Sequence, residues 1–321
     1  MSKDLLLSIC IPTYNRYNKL FPMLKQLLSI ERKDFEIVIQ DNCSTDGTRN
    51  IKKDLADERV RLIENPVNIG GIKNGFGALL DAKGKYCMIC LDKDCVLGTQ
   101  LSAFMETLEA MPDINYGVCE LNTNTANENL IFMSQKECFD YFAYGGRHPS
   151  GMFWKTKLFK SCSILPKILN SNAVFGFFLD FVFAECSSKE GNGLFYRKPL
   201  LVTETPEESA KKKTLTYDKT QIFFFPRNRI YEFKVYLGQL QSLKLKNKTI
   251  SWLKVFKRGL VVSTLGFRSV MQDSFHLEHY GIASRHVSFF ELTIIAVRYT
   301  LSVLFTSRKK AFNKLFNGSV S

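Results

Sequence analysis

No stretch of this 321-residue chain is dominated by Pro, Gln or Ser, and no internal repeat runs along it. Extended low-complexity disorder is therefore not expected. Paired metal-ligand spacing is missing as well. The nine cysteines (Cys10, Cys43, Cys87, Cys90, Cys95, Cys119, Cys138, Cys162, Cys186) are scattered over the front two thirds. Cys87 and Cys90 form a C-x-x-C with no second pair, inside an apolar run. They read as small buried hydrophobes in a reducing cytosol rather than as a zinc site. Neither zinc-finger spacing nor an RNP-like aromatic motif is present, which disfavours a nucleic-acid-reading module. The start lacks a signal peptide: residues 1–4 are polar and the apolar run behind them is too short, so a cytoplasmic chain is expected. Residues 287–306 are largely apolar but carry Glu291 and Arg298 near mid-span, against a simple transmembrane helix.

What is present is a globular composition, with 45% hydrophobic and 23% charged residues, enough for one large core or a catalytic domain with an appendage. The net charge of +13 is unevenly placed. Residues 211–321 hold 20 Lys/Arg against 5 Asp/Glu, whereas residues 1–210 hold 24 against 26. A near-neutral front and a strongly basic back predict two jobs, and a basic surface attracts nucleic acid, anionic lipid or acidic glycan. The expected division is a domain over 1–210 and a basic, mainly helical region over 211–321.

Residues 5–11 are a continuous apolar run ended by Pro12, as expected of a strand buried on both faces of a parallel sheet. Helical spacing follows over 18–30, with Leu20, Leu24, Leu27 and Leu28 on one side. Strands are predicted at 35–39, 59–64 and 86–91, with helices between them. The alternation predicts an α/β fold: a Rossmann-like, mostly parallel sheet with helices on both faces. Later segments read as a strand at 116–121, a loop at 144–155, a helix at 172–189, a strand at 195–203 and a polar loop at 204–213. Three polar clusters, 13–16, 41–46 and 92–94, directly follow strands and so fall on one rim, where ligands of such sheets bind.

Asp92-Lys93-Asp94 places two carboxylates at spacing two just past a strand. Hard oxygen ligands suit Mg²⁺ or Mn²⁺, which also bind diphosphate oxygens. Such a metal would neutralise the charge of a departing nucleoside diphosphate. A solvated turn is the plain alternative for a D-x-D. Asp41, at a strand tip, can accept hydrogen bonds from a base or ribose, or can cap the next helix, a role that Asp46 fits better.

These motifs carry a resemblance. Ser8-Ile9-Cys10-Ile11-Pro12-Thr13-Tyr14-Asn15-Arg16 resembles the opening of the family 2 glycosyltransferases, which have the GT-A fold. The segment from Ile37 to Thr48, the run from Asn68 to Gly75 with Ala82 to Tyr86, and Leu91-Asp92-Lys93-Asp94 resemble the next three signatures in order. The resemblance implies that Pro12, Thr13 and Asn15 line a nucleotide pocket, with Tyr14 flanking the base and Asp41 holding the base or ribose. It implies that Asn68, Gly71 and Lys73 border the nucleotide, Lys73 reaching a phosphate. Asp92 would meet ribose or donor sugar, and Asp94 would bind the Mn²⁺ or Mg²⁺. The family's usual chemistry is inverting transfer, which needs a general base on the acceptor side. Asp180 is the candidate, since apolar neighbours favour a raised pKa; a helix-face Asp satisfied by a nearby base is the alternative, and Glu185 is held in reserve. The loop Arg147-His148-Pro149-Ser150-Gly151 resembles the acceptor-side loop of related bacterial capsule and O-antigen enzymes, with His148 and Ser150 facing diphosphate or acceptor.

The function implied is sugar transfer from a nucleotide-sugar, UDP being the commonest nucleotide, to a glycan or lipid-linked acceptor in bacterial surface-polysaccharide synthesis. A nucleotidyltransferase is the second enzyme reading, but Pro12-Thr13-Tyr14-Asn15-Arg16 stands where that class carries a Gly-rich phosphate loop. A basic nucleic-acid-binding protein is the non-enzyme reading. The back region, with Trp252-Leu253-Lys254-Val255-Phe256-Lys257-Arg258 as an amphipathic basic helix, suits peripheral contact with the inner face of the cell membrane. A solvated helical subdomain and homo-oligomerisation through the apolar helix are its other readings.

Overall fold

A computed structural model of the chain describes residues 4–121, 128–171, 178–203, 222–274, 277 and 280–317. Two compact units are present, Met1–Leu165 with Phe178–Glu204, and Pro166–Phe177 with Thr205–Ser321. The polar segment 204–213 and the expected boundary at 210/211 lie outside the described residues, as does the start of the helix expected over 172–189.

In the first unit, β1 (Leu7–Thr13), β2 (Phe35–Asp41), β3 (Val60–Glu64) and β4 (Tyr86–Ile89) are parallel, in the order β3-β2-β1-β4. Every residue of β1, β2 and β4 is buried, which is why these strands are near-continuous apolar runs rather than alternating ones. Helices α1 (Tyr17–Leu28), α2 (Ile51–Leu55) and α3 (Gly71–Leu80) connect them. α1 buries Leu20, Met23, Leu24 and Leu27, one stripe at three- and four-residue spacing, and ends before the predicted residue 30. Asp46 caps the short 3₁₀ turn Gly47–Asn50, accepting from the Thr48 amide at 2.9 Å, a contact of about 1 kcal/mol.

Beyond β4 the sheet becomes mixed. β5 (Cys95–Val96) precedes α4 (Gly98–Ala110), and β6 (Tyr116–Leu121) and β7 (Leu130–Phe132) precede α5 (Gln135–Phe142). β8 (Met152–Lys155) lies between β4 and β6, antiparallel to both. It is followed by α6 (Thr156–Lys160), α7 (Leu165–Leu169) and α8 (Phe178–Lys189). β9 (Gly193–Val202) runs parallel to β6 and takes β5 and β7 on it antiparallel. Gly117 makes the β6 crossing feasible: a Cβ there would stand 2.0 Å from the Leu194 carbonyl oxygen and 2.6 Å from the Phe153 ring.

The second unit is helical where it is described. α9 (Pro226–Ser242) is followed by α10 (Lys248–Val261), which runs through a π-helical turn Val262–Gly266 into α11 (Phe267–Gln272). α12 (Phe289–Phe305) and α13 (Arg308–Asn317) follow. Two glycines permit close crossings. A Cβ on Gly259 would lie 2.2 Å from the Tyr299 hydroxyl, and one on Gly238 would lie 2.5 Å from the Arg308 carbonyl oxygen. Phe224, Phe267, Met271, Val287, Leu292 and Ile295 share one apolar core.

Candidate active site

The site is built at the carboxyl ends of β1, β2 and β4, where the three polar clusters are tied together by hydrogen bonds. Thr13, at the tip of β1, donates its hydroxyl to Asp92 Oδ2 at 3.0 Å, and the Tyr14 amide approaches the same oxygen at 3.4 Å. Arg16 Nε stands 3.9 Å from it. On the other side, the Asn15 amide donates to Ser44 Oγ at 2.8 Å, and Asn15 Oδ1 accepts the Thr45 amide at 2.8 Å. Asn15 (φ 54°) and Cys43 (φ 66°) hold left-handed backbone, which asparagine tolerates better than most residues. Tyr14 stays exposed at the rim.

Asp41 is fully buried. Its carboxylate accepts the Ser44 amide at 3.1 Å and the Ser44 hydroxyl, and Arg49 Nε lies 3.8 Å away. Ser44 is thus the pin between Asp41 and Asn15. A second set of amides fixes the loop before α3. Asn42 donates to Asn68 Oδ1 at 2.8 Å and accepts the Ile69 amide at 2.8 Å. Asn68 Oδ1 also accepts the Gly70 amide at 3.0 Å. Asn65 donates to Asn74 at 2.8 Å, and Asn74 donates to the Gln40 carbonyl at 2.9 Å. Gly70 has φ +85°, and a Cβ on Gly71 would meet nothing within 4 Å. α3 begins there without a side-chain cap, so its first amides point outward, with Lys73 in the first turn. Pro12 lies inside β1 beneath this loop. Gln40, Asn42 and Asn74 lie inside the quoted signature segments and Asn65 outside them; their hydrogen bonds join them as one network on the rim.

Asp94 is held from the loop 144–151. Its Oδ2 accepts the Ser150 hydroxyl and lies 3.4 Å from His148 Nε2, while Ser150 Oγ accepts the Leu91 amide at 2.9 Å. His148 Nδ1 accepts the Ser150 amide at 3.2 Å, which leaves its proton on Nε2, toward Asp94. Burial lowers the His148 pKa against the pull of Asp94, with Lys93 adding to the lowering, so the ring is neutral near pH 7. Asp94 Oδ1 is buried without a hydrogen-bond partner. An orphaned carboxylate oxygen of this kind suits a cation. No group of three or more His, Cys, Asp or Glu that could hold a metal occurs among the described residues.

The same loop reaches Asp180. Asp180 sits buried in the first turn of α8, and its Oδ2 accepts the Gly146 amide at 2.8 Å. Tyr144 (φ 53°), Gly146 (φ 59°) and Gly151 (φ 84°) fix the loop's path. Arg147 is turned inward, donating to the Tyr141 carbonyl at 2.6 Å and lying 4.6 Å over the Tyr141 ring, where it satisfies the end of α5. Glu185 is occupied structurally. It accepts the Ser163 amide at 2.7 Å, the Ile164 amide at 2.9 Å and Lys189 Nζ at 2.7 Å. Burial alone would raise its pKa, but these donors hold it below the ordinary glutamate value.

Residues 8–157 match the sequence model of Glycosyl transferase family 2. An abequosyltransferase of Salmonella typhimurium is 33% identical over 115 residues, 34% of this chain and 34% of its own. A UDP-Glc:alpha-D-GlcNAc-diphosphoundecaprenol beta-1,3-glucosyltransferase of Escherichia coli is 29% identical over 150 residues, 39% of this chain and 60% of its own. The matches thus span between a third and three fifths of these relatives' length. Among solved structures, S. aureus TarS in complex with UDP-GlcNAc has a TM-score of 0.57 at 12% identity, over 98% of this chain and 93% of that one. A mannosyltransferase from Pyrobaculum calidifontis in complex with GDP-Man and Mn²⁺ has a TM-score of 0.53 at 13% identity, over 99% and 89%. These two likenesses bear on the fold alone. Residues 8–157, a little under half of the chain, are thus similar to glycosyl transferase family 2, on a fold of the kind that both of these structures have.

Proposed function

We propose that the first unit transfers a sugar from a nucleotide-sugar, UDP-linked, to a glycan or lipid-linked acceptor of bacterial surface polysaccharide at the inner face of the cell membrane. The carrying observation is Asp94: a buried carboxylate pinned by Ser150 and His148, with one oxygen unpartnered, on a rim stitched to the β1 and β2 loops. Named curated relatives support the acceptor class: one acts on diphosphoundecaprenol-linked GlcNAc and another, of Campylobacter jejuni, on a PP-undecaprenol glycan.

In this reading Pro12, Thr13 and Asn15 line the nucleotide site and the exposed Tyr14 flanks the base. Asp41 works through Ser44, holding Asn15 and the β2 loop in place for the base or ribose. Asn68, Gly71 and Lys73 border the nucleotide, where the uncapped amides of α3 and the Lys73 ammonium favour phosphate. Asp92, oriented by Thr13, meets ribose or donor sugar. Asp94 would hold Mn²⁺ or Mg²⁺ through Oδ1, with His148 and Ser150 fixing the carboxylate. When bound, that ion offsets the negative charge growing on the departing diphosphate. Asp180 takes the proton of the acceptor hydroxyl as its oxygen bonds to the anomeric carbon and the bond to the diphosphate breaks, a single displacement that inverts the centre. The Gly146 amide positions the Asp180 carboxylate for this.

A panel of nucleotide-sugars screened for thermal stabilisation with and without Mn²⁺ tests the proposal, since a ligand of the native state raises the melting temperature. One donor is expected to stabilise the protein and be hydrolysed slowly when Mn²⁺ is present. A folded sample indifferent to every donor would sink the reading.

A further inference from the structure

We propose that the outward face of α12, in the basic helical unit that also exposes the lysines of α10, is a docking surface for an anionic membrane. The proposal deepens the reading of a lipid-linked acceptor and rests on it for its biological purpose.

α12 is apolar on two opposite sides. Its inward side buries Leu292, Ile295, Tyr299 and Val303. Tyr299 locks this side down, donating its hydroxyl to the Phe256 carbonyl at 2.9 Å. The outward side carries Phe290, Ile294, Val297, Leu301 and Leu304, at successive spacings of four, three, four and three residues, and all are exposed. Phe290 is 75% exposed, and Phe289 and Phe305, near the two ends, are 82% and 78% exposed. A continuous apolar stripe of this size on a surface marks a contact site.

Charge selects the occupant. Glu291, the single acid of α12, is bound to Arg285 at 2.7 Å, and Arg298 is exposed beside the stripe. On α10 and the turn after it, Ile250, Leu253, Val261 and Leu265 are exposed, interleaved with exposed Lys254 and Lys257. Residues 211–321 carry 20 Lys/Arg against 5 Asp/Glu. A second copy seated two-fold on this surface would set like charges against like. An anionic lipid surface takes both parts: the apolar side chains enter the acyl boundary while Lys and Arg reach the headgroups. α12 lies along such a surface because its other side is packed through Leu292, Ile295, Tyr299 and Val303.

The test uses the full chain and vesicle flotation. Wild type is expected to float with vesicles of phosphatidylglycerol and phosphatidylethanolamine, to bind phosphatidylcholine vesicles weakly, and to be released by salt. Phe290→Glu with Leu301→Glu should lower the partition by about tenfold or more while the melting temperature holds. Lys254→Gln with Lys257→Gln should weaken binding to anionic vesicles only. Equal flotation of both double variants and wild type would overturn the proposal. So would a wild-type dimer, seen by light scattering, that the glutamates dissociate without any vesicle binding to lose. Donor hydrolysis in solution is read on the same samples: loss of vesicle binding in a protein that hydrolyses no donor would keep the docking surface and discard the transferase reading.

Discussion

The two units spend their polar and apolar groups in opposite ways. In the first, the carboxylates of interest are buried or half-buried and individually held: Asp41 by Ser44, the half-buried Asp92 by Thr13, Asp94 by Ser150 and His148, Asp180 by Gly146. In the second, the charges are mostly basic and on the surface, and α12 leaves large apolar side chains in water. One unit organises a few atoms; the other presents an area. Chemistry on a diphosphate demands the former, because its electrostatics act at contact distance inside a shielded site. Adhesion to a broad surface demands the latter, where many weak contacts add.

That contrast can be broken by substitution. The largest effect is expected at Asp94. Asp94→Asn should cut donor turnover by about 10³-fold, the several kcal/mol a positioned cation supplies, while leaving the melting temperature within a few degrees. Asp180→Asn keeps the acceptor for the Gly146 amide but removes the proposed base; transfer should fall about 10²-fold or more, with donor binding by thermal shift unchanged. In the second unit, Gly259→Ala should cost about 1–3 kcal/mol of stability through the overpacked crossing with Tyr299, seen as a lower denaturant midpoint, and should spare donor hydrolysis. Glu185→Gln should also act on stability rather than on chemistry, by about 1–3 kcal/mol at neutral pH. Because the folded pKa of Glu185 is lowered, its contribution is present above the ordinary glutamate value and is lost as pH falls through the folded one. The stability gap between wild type and Gln variant should therefore close in acid. The smallest effect is expected of Thr13→Val, which removes one hydrogen bond to Asp92 and should raise the KM for donor about tenfold.

The parallel half of the sheet was legible because strands buried on both faces are mostly apolar, as β1, β4 and the centre of β2 are. The strand at 116–121 was equally plain. The insertion of β8 between β4 and β6 was not, since pairing partners far apart in sequence leave no local periodicity. α5 escaped notice although its capping box, Ser134 with Glu137, was written in the chain; only eight residues of half-polar helix follow it. At the site, the residue types and their common rim were readable. The burial of Asp41, and Ser44 as its partner, depend on how a left-handed turn at Cys43 folds the loop back, which composition does not encode. For α12, average apolarity was visible, but which side is covered depends on the neighbours it packs against.

The loop from Tyr144 to Gly151 acts as a ruler. It is tethered through Gly146 to Asp180 and through Ser150 to Asp94. The tethers are four Cα–Cα steps apart, a chain length of at most about 14 Å. In the proposed mechanism the spacing between the Asp94 and Asp180 carboxylates is thereby bounded by a count of peptide bonds. Lengthening that span by one glycine would keep both carboxylates and mistune the distance between them.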